Sequence, residues 1–236
     1  MRTQCVILVG GLGTRLGPLT ATIPKALVSI GGEPFVNHQL RWLAGNGVDE
    51  VVFSIGHFGG QLREHVGDGR RFGLDVTYVD EGENLRGTAG ALRLALAEDA
   101  LDERFLVTYG DSYLPVDFGA FAGAFERSDA PAMMSVFRNE GRWDTSNATV
   151  REGRVTLYDK RRGEGAASME HIDYGLLAFK REVVAARVSP GAKADLADLL
   201  HDLSIEGQLA AYEVSTRFYE AGSKGGLADL EKFLVR

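Results

Sequence analysis

The sequence predicts an α/β protein, a mostly parallel mixed sheet flanked by helices with antiparallel strands added. Three observations carry this expectation. Short β-branched apolar runs alternate with segments of helical period up to residue 130, strand-like runs dominate after Pro131, and a glycine-rich loop directly follows the first apolar run.

The elements follow in order. Residues 4–9 (QCVILV) form a continuous apolar run that stops at Gly10 and Gly11, as a strand buried on both faces would. Residues 34–44 place Phe35, Leu40 and Leu43 on one helical stripe, with Pro34 suited to a first turn. Strands at 50–55, 74–79 and 105–109 then alternate with helices near 61–66, 89–96 and 118–125. Strand and helix alternating at this spacing imply a parallel sheet covered on both faces. From 132 onward, runs at 132–137, 148–150, 155–159 and 172–179 read as antiparallel strands that either join the sheet or form a lid. Helices near 194–203 and 226–234 flank a last strand at 209–214. No linker, low-complexity tract or internal repeat interrupts the chain, so residues 1–236 are expected to form one domain. Its halves are 1–130 and 131–236.

Hydrophobic residues make up 44% and charged residues 25% of the 236, a balance that excludes a disordered chain. Acids outnumber bases 33 to 26, the wrong sign for a protein that binds nucleic acid by neutralising phosphates. The single cysteine, Cys5, excludes an internal disulfide and a cysteine-built zinc site, and fits a reducing compartment. The apolar run near the start is too short for a signal-peptide core or a membrane span, so a cytoplasmic protein is expected, with no membrane partner.

The most informative segment is residues 10–20, GGLGTRLGPLT, followed by Pro24 and Lys25. Gly10, Gly11 and Gly13 let the backbone turn sharply and present amides to an anion. Arg15 offers a planar fork for phosphate oxygens and Lys25 a compact second cation. A tight strand-to-helix turn with incidental charges is the plainer alternative. The dinucleotide fingerprint fails because Leu16 stands where a third small residue is needed, and no Gly-Lys-Ser/Thr of a P-loop occurs.

The pattern GGxGTRLxPLT followed by Pro-Lys resembles the signature of the sugar-1-phosphate nucleotidylyltransferases, the NDP-sugar pyrophosphorylases. Later elements match in the same order along nearly the whole chain. The resemblance implies a Rossmann-like nucleotidyltransferase fold in which the glycine loop, with Gly10, Gly11, Gly13 and Thr14, wraps a nucleoside triphosphate. The residues matching Arg15 and Lys25 handle its phosphates.

Displacing pyrophosphate is mostly positioning and charge neutralisation, with Mg²⁺ bridging oxygens, and Mg²⁺ typically uses one or two protein carboxylates. Asp111, after the apolar run 105–109 and Gly110, is expected at the carboxyl edge of the sheet, where open α/β sheets bind ligands. It is similar to the family's metal-binding Gly-Asp; its alternative is a cap for the helix near Phe118. Glu220 stands where the family's late metal motif usually has an aspartate, one methylene longer.

Residues 80–90, DEGENLRGTAG, form a polar loop that in the family touches the nucleobase. Gly87 and Gly90 would pack on a flat ring, with backbone amides at the helix start, around Thr88, reading base edges. Glu81 or Glu83 would accept from guanine N1–H and N2–H₂, which favours GTP. The Asp159-Lys160 pair resembles the family's Glu-Lys pair against the sugar phosphate, with Lys160 neutralising the attacking group. Residues 170–175 (EHIDYG) sit where the family has a sugar-contacting segment, so Glu170 and Asp173 would accept from sugar hydroxyls. Asn147 is a further candidate of that type. His171 reads as a structural or sugar-edge residue, since the attacking phosphate oxygen needs no base, and His38, on the helical stretch 34–44, as a packed or surface histidine.

These readings converge on a Mg²⁺-dependent transferase that joins an NTP and a sugar 1-phosphate, yielding NDP-sugar and pyrophosphate for polysaccharide synthesis. The short chain and the IDYG segment look most like bacterial heptose- or mannose-1-phosphate guanylyltransferases. N-acetylmuramate-1-phosphate uridylyltransferases are the near alternative, and a non-catalytic nucleotide or sugar-phosphate sensor is the alternative of another class. Expected partners are the two substrates, with a homodimer admissible.

Overall fold

A computed structural model of the chain describes residues 2–11, 14–143, 145–161 and 169–235, with only the backbone described at 14 and 15. The first half contains β1 (Gln4–Leu8), the short pair β2 (Ser29–Ile30) and β3 (Glu33–Pro34), α1 (Phe35–Gly45), β4 (Glu50–Ile55), α2 (Gly59–Val66), β5 (Asp75–Asp80), α3 (Gly87–Ala97), β6 (Arg104–Tyr109), β7 (Ser112–Tyr113) and α4 (Phe118–Glu126). The second adds β8 (Ala132–Arg138), β9 (Ala148–Arg151), β10 (Arg154–Tyr158), β11 (His171–Lys180), α5 (Arg181–Arg187), α6 (Leu196–Ile205), β12 (Leu209–Val214), β13 (Tyr219–Glu220) and α7 (Lys224–Leu234).

Nine strands form one sheet in the order β5-β4-β1-β6-β11-β8-β12-β10-β9. Strands β5, β4, β1 and β6 run parallel. β11 is antiparallel to both β6 and β8, whereas β12 is parallel to β8. The late strands therefore extend the sheet, and the lid alternative does not apply to them. β12, to which the sequence assigned no direction, runs parallel to β8.

Strand alternation sorts the core into two layers. Cys5, Ile7, Val51 and Phe53 face Leu40 and Leu43 of α1, Leu62 of α2 and Phe121 of α4. Val6, Val52 and Val107 face the other way, onto Leu92 of α3, Val184 of α5 and Leu200 of α6. Covering on both faces explains why β1 reads as an unbroken apolar run.

Most elements begin and end within two residues of their expected bounds. The helix expected from residue 61 instead starts at Gly59, whose missing side chain leaves room for Ile55 only 2.8 Å from where a Cβ would stand. Close packing there overrides the poor helix propensity of two glycines. The two-residue strands β2, β3, β7 and β13 are too short for any periodicity to announce.

Leu200 is fully buried in the second layer. Leu200→Ala is expected to lower the unfolding free energy by about 2–5 kcal/mol through lost transfer energy and the cavity left behind. Urea denaturation of the two chains measures this directly.

Candidate active site

Parallel strands deliver their carboxyl ends to one edge of the sheet, and a cleft of about 360 Å³ opens there beside the ends of β1 and β6. Its lining includes Gly10, Gly11, Lys25, Glu81, Thr88 and Asp111. Lys25 begins a 3₁₀ turn (Lys25–Leu27) immediately after Pro24. Its Nζ donates to Asp111 Oδ2 at 2.6 Å, with the two side chains 14% and 26% exposed. The alternative use of Asp111 as a helix cap goes to Asp117, whose Oδ1 accepts from Ala120 N at 2.8 Å to cap α4. Gly13 lies outside the described residues, as do the side chains of Thr14 and Arg15.

Glu220 approaches Asp111 through the backbone. β13 pairs with β7, placing Glu220 opposite Ser112, and Ala221 N donates to Asp111 O at 2.7 Å. The Glu220 carboxylate itself accepts from Ser223 Oγ at 2.8 Å, and Ser223 caps α7 through Gly226 N. Among the described residues no group of three or more Asp, Glu, His or Cys could hold a metal. Oxygen donors of this kind suit Mg²⁺ where substrate phosphates and water complete the octahedron, so Asp111 fits such an ion and Glu220 stands one ladder position away.

In the loop 80–90 the structure separates the two glutamates. Glu81 is buried and lines the cleft, whereas Glu83 is exposed. Glu81 Oε2 accepts from Arg86 N at 2.7 Å, and Oε1 accepts a long 3.4 Å bond from Ser54 Oγ. Gly10 and this carboxylate lie close together: a Cβ at position 10 would stand 2.7 Å from Glu81 Oε1, so a larger residue would make the carboxylate shift. Burial holds the Glu81 carboxyl above its ordinary range, against the two hydrogen bonds that favour the charged form.

Gly87 and Thr88 line the cleft, and the two glycines of this loop also meet a second segment of the chain. Gly87 has a φ of +73° and no room for a Cβ, which would stand 2.5 Å from Ala194 O. At Gly90 a Cβ would meet Ala192 O at 2.7 Å. Both glycines thus admit the 192–194 backbone, and Ala194 O already accepts from Ala89 N and Gly90 N at 3.0 and 3.2 Å. The amides of Ala89 and Gly90 are thus bonded within the fold. The Thr88 hydroxyl is likewise engaged, donating to Asp195 Oδ1 at 3.0 Å and accepting from Leu196 N at 2.7 Å.

The residues expected to meet a sugar fall into a cluster and one outlier, none of them in the lining of this cleft. Asn147 Oδ1 accepts from Asp173 N at 2.8 Å, and Asp173 accepts from Gly175 N at 2.9 Å and from Tyr158 OH at 3.2 Å. Burial raises the Asp173 carboxyl, opposed by the Gly175 amide, the charge of Lys160 and the Tyr158 hydroxyl. Lys160 is exposed in the turn after β10, near enough to act on Asp173 electrostatically. Glu170 is the outlier, exposed and 3.6 Å from Arg138 in an ion pair. His171 is buried and His38 Nε2 lies 3.0 Å from Ile30 O, both in structural settings.

Two residues escaped the sequence reading. Tyr109 lines the cleft, and its hydroxyl is raised by burial and by Asp173, Asp195 and Asp111 around it. Asp195 caps α6 through Ala197 N at 2.9 Å while holding Thr88. A helix-capping Asp before a leucine-rich run was a visible signal for Asp195, but nothing local in the sequence ties it to Thr88.

The model of the Nucleotidyl transferase family matches residues 4–217. The chain belongs to that family. A nucleotidyl transferase relative, the glucose-1-phosphate thymidylyltransferase of Streptomyces antibioticus, is 33% identical over 129 residues, covering 55% of this chain and 36% of that protein. The mannose-1-phosphate guanyltransferase of Yarrowia lipolytica is 37% identical over 131 residues, 54% of this chain and 35% of the relative. The match thus spans about a third of each relative. Among solved structures, HddC from Yersinia pseudotuberculosis, complexed with GMP-PN, superposes with a TM-score of 0.80 at 21% identity, covering 98% of this chain and 99% of that one, which shows the shared nucleotidyltransferase fold. No helix among the described residues is long and apolar enough to cross a membrane.

Glu81 gives a pH test of the cleft. A carboxyl raised in the folded state contributes stability below the ordinary value of about 4.3 and loses it as pH rises through the raised value. Glu81→Gln keeps an oxygen for the Arg86 amide and removes the charge. The variant is expected to melt higher than the parent at about pH 8, with the gap closing toward pH 4. Thermal melts across that range check it, and parallel curves would show that the carboxyl is not desolvated.

Proposed function

We propose that this chain transfers a nucleotidyl group from an NTP, with GTP favoured, to a sugar 1-phosphate of the heptose or mannose type, releasing pyrophosphate. The observation that carries the reading is the Lys25–Asp111 pair, which sets a phosphate-binding cation and a metal-binding carboxylate in one cleft beside the glycine loop. The cleft volume lies within the range of small-molecule sites.

In this reading residues 1–130 bind the nucleotide and 131–236 the sugar phosphate. The sugar phosphate oxygen attacks the α-phosphorus in line; the bond to the bridging oxygen breaks, and pyrophosphate leaves with that electron pair. The attacking oxygen is already deprotonated, so no general base is needed. Lys25, with Arg15, steadies the triphosphate, and Lys160 faces the attacking phosphate. Asp111, with Glu220 nearby, would hold Mg²⁺, which supplies charge neutralisation between phosphate oxygens when bound. Asn147 orients Asp173 toward sugar hydroxyls. Glu170, paired with Arg138, is the weakest of the sugar candidates.

Glu81 supports the choice of GTP. It is a buried acid in the cleft whose Oε1 has only the long Ser54 bond, the acceptor that guanine N1–H and N2–H₂ require. The N-acetylmuramate-1-phosphate uridylyltransferase pairing is the alternative within the same chemistry. The sensor reading draws on Glu220, whose carboxylate is engaged by Ser223. The single cysteine, buried in β1, fits the reducing cytoplasm where NTPs are made.

Pyrophosphate release measured over a matrix of NTPs and sugar 1-phosphates with Mg²⁺ is expected to peak with GTP and mannose or heptose 1-phosphate; binding without release on every pairing would favour the sensor. Lys25→Ala is expected to cut turnover on the order of 10²-fold, the range for removing one preorganised charge-stabilising donor. Near-normal turnover would remove Lys25 from the mechanism. Asp111→Asn is expected to abolish Mg²⁺-dependent activity while circular dichroism shows the fold intact, and full activity would sink the metal assignment.

A further inference from the structure

Asp111 sits in a tight link between β6 and β7, and that link is held from below by a side chain on another element. Gln39 lies on α1 and is 3% exposed. Its single carboxamide nitrogen donates to Tyr109 O and to Ser112 O, each at 2.9 Å. These two carbonyls bracket Gly110 and Asp111, so one NH₂ group closes the turn that carries the carboxylate. The remaining backbone anchors are Gly110 N to Leu8 O at 3.0 Å and Ala221 N to Asp111 O at 2.7 Å. Together they fix the turn from β1, from β13 and, through Gln39, from the helix layer.

The orientation of the amide is decided by chemistry. Flipped, Gln39 would aim its oxygen at two carbonyl oxygens and lose both bonds. As placed, Oε1 is buried and has no partner among the described residues. A buried acceptor without a bond costs stability, so the side chain is not optimised for the helix that bears it. What it gains lies entirely at the donor end, on the turn. Its neighbours on the same face, Phe35, Val36, Leu40 and Leu43, are apolar. A glutamine in that stripe is the exception.

We propose that Gln39 is a positioning residue for Asp111: by clamping the carbonyls of Tyr109 and Ser112 it sets the direction of the Asp111 carboxylate toward Lys25 and toward a bound divalent ion. The proposal rests on the reading of Asp111 given above, and Gln39 itself touches neither substrate nor metal. Loss of an outer partner of a metal-ligating carboxylate typically costs 10–100-fold in metal affinity or activity.

Two variants of near-equal shape test it. Gln39→Met keeps the length and removes both donors. Gln39→Glu keeps the outline but sets oxygens against the two carbonyls. Mn²⁺ binding in the presence of GTP, followed by electron paramagnetic resonance, is read beside steady-state kinetics and thermal melts. The expected order of Mn²⁺ affinity is parent, then Gln39→Met, then Gln39→Glu, with the methionine variant weaker on the order of 10-fold or more. Its kcat should fall in step while KM for GTP changes less than threefold. A Gln39→Met chain that melts normally and binds Mn²⁺ within twofold of the parent overturns the proposal. So does a loss fully accounted for by the unfolded fraction. If the parent chain binds Mn²⁺–GTP and Asp111→Asn binds it equally well, the reading of Asp111 fails first, and the role of Gln39 goes with it.

Discussion

A hydrogen-bonded ion pair between residues 86 positions apart organises the cleft. Lys25 and Asp111 come from different elements, one opening a short turn and the other following a strand, and each is partly withdrawn from water. Neither charge is well placed alone, because a partly buried ion without a partner carries a desolvation cost. Together they compensate one another in the cleft. A triphosphate and its cation would offer each member a replacement partner of the same sign as the one it gives up, so entry of both exchanges partners without leaving a charge stranded. Within the pair, each charge has its counter-charge at hydrogen-bond distance.

The second organising contact is a carbonyl. Ala194 O takes two amides from the start of α3, and Ala194 N returns a bond to Arg86 O at 2.8 Å. Thr88 and Asp195 add a side-chain clasp beside it. The loop 80–90 is therefore stitched to the segment leading into α6, which packs against β10 and shares Ser204 with it through Tyr158 N at 2.9 Å. The wall of the cleft that carries Thr88 and the wall built on β10 are thus linked through one segment.

Legibility in the sequence followed the range of the interactions. The α/β layering could be read because strand and helix periodicity are local, and Cys5, Ile7 and Val6 alternate between the two layers as a period of two demands. Asp111 and Lys25 could be read because each sits at a turn marked by Gly110 or Pro24. Gly87 and Gly90 were recognised as close-approach positions, but the approaching partner lies over 100 residues away and no local pattern names it. Gln39 was hidden for the same reason, its partners being Tyr109 and Ser112. The place of β11 between β6 and β8 follows from long-range pairing, which periodicity does not encode.

That placement has a consequence for how the chain comes into being. The outer edge of Arg104–Tyr109 is satisfied only by residues 177–180, with Leu177 opposite Val107 and Lys180 opposite Arg104. A polypeptide emerging from the ribosome in order therefore carries four finished parallel strands with a bare, apolar border until some seventy further residues have followed. Such a border is a template for pairing with any neighbouring nascent chain. The late strand that joins the parallel group to β8 is also the one that covers this border against other copies.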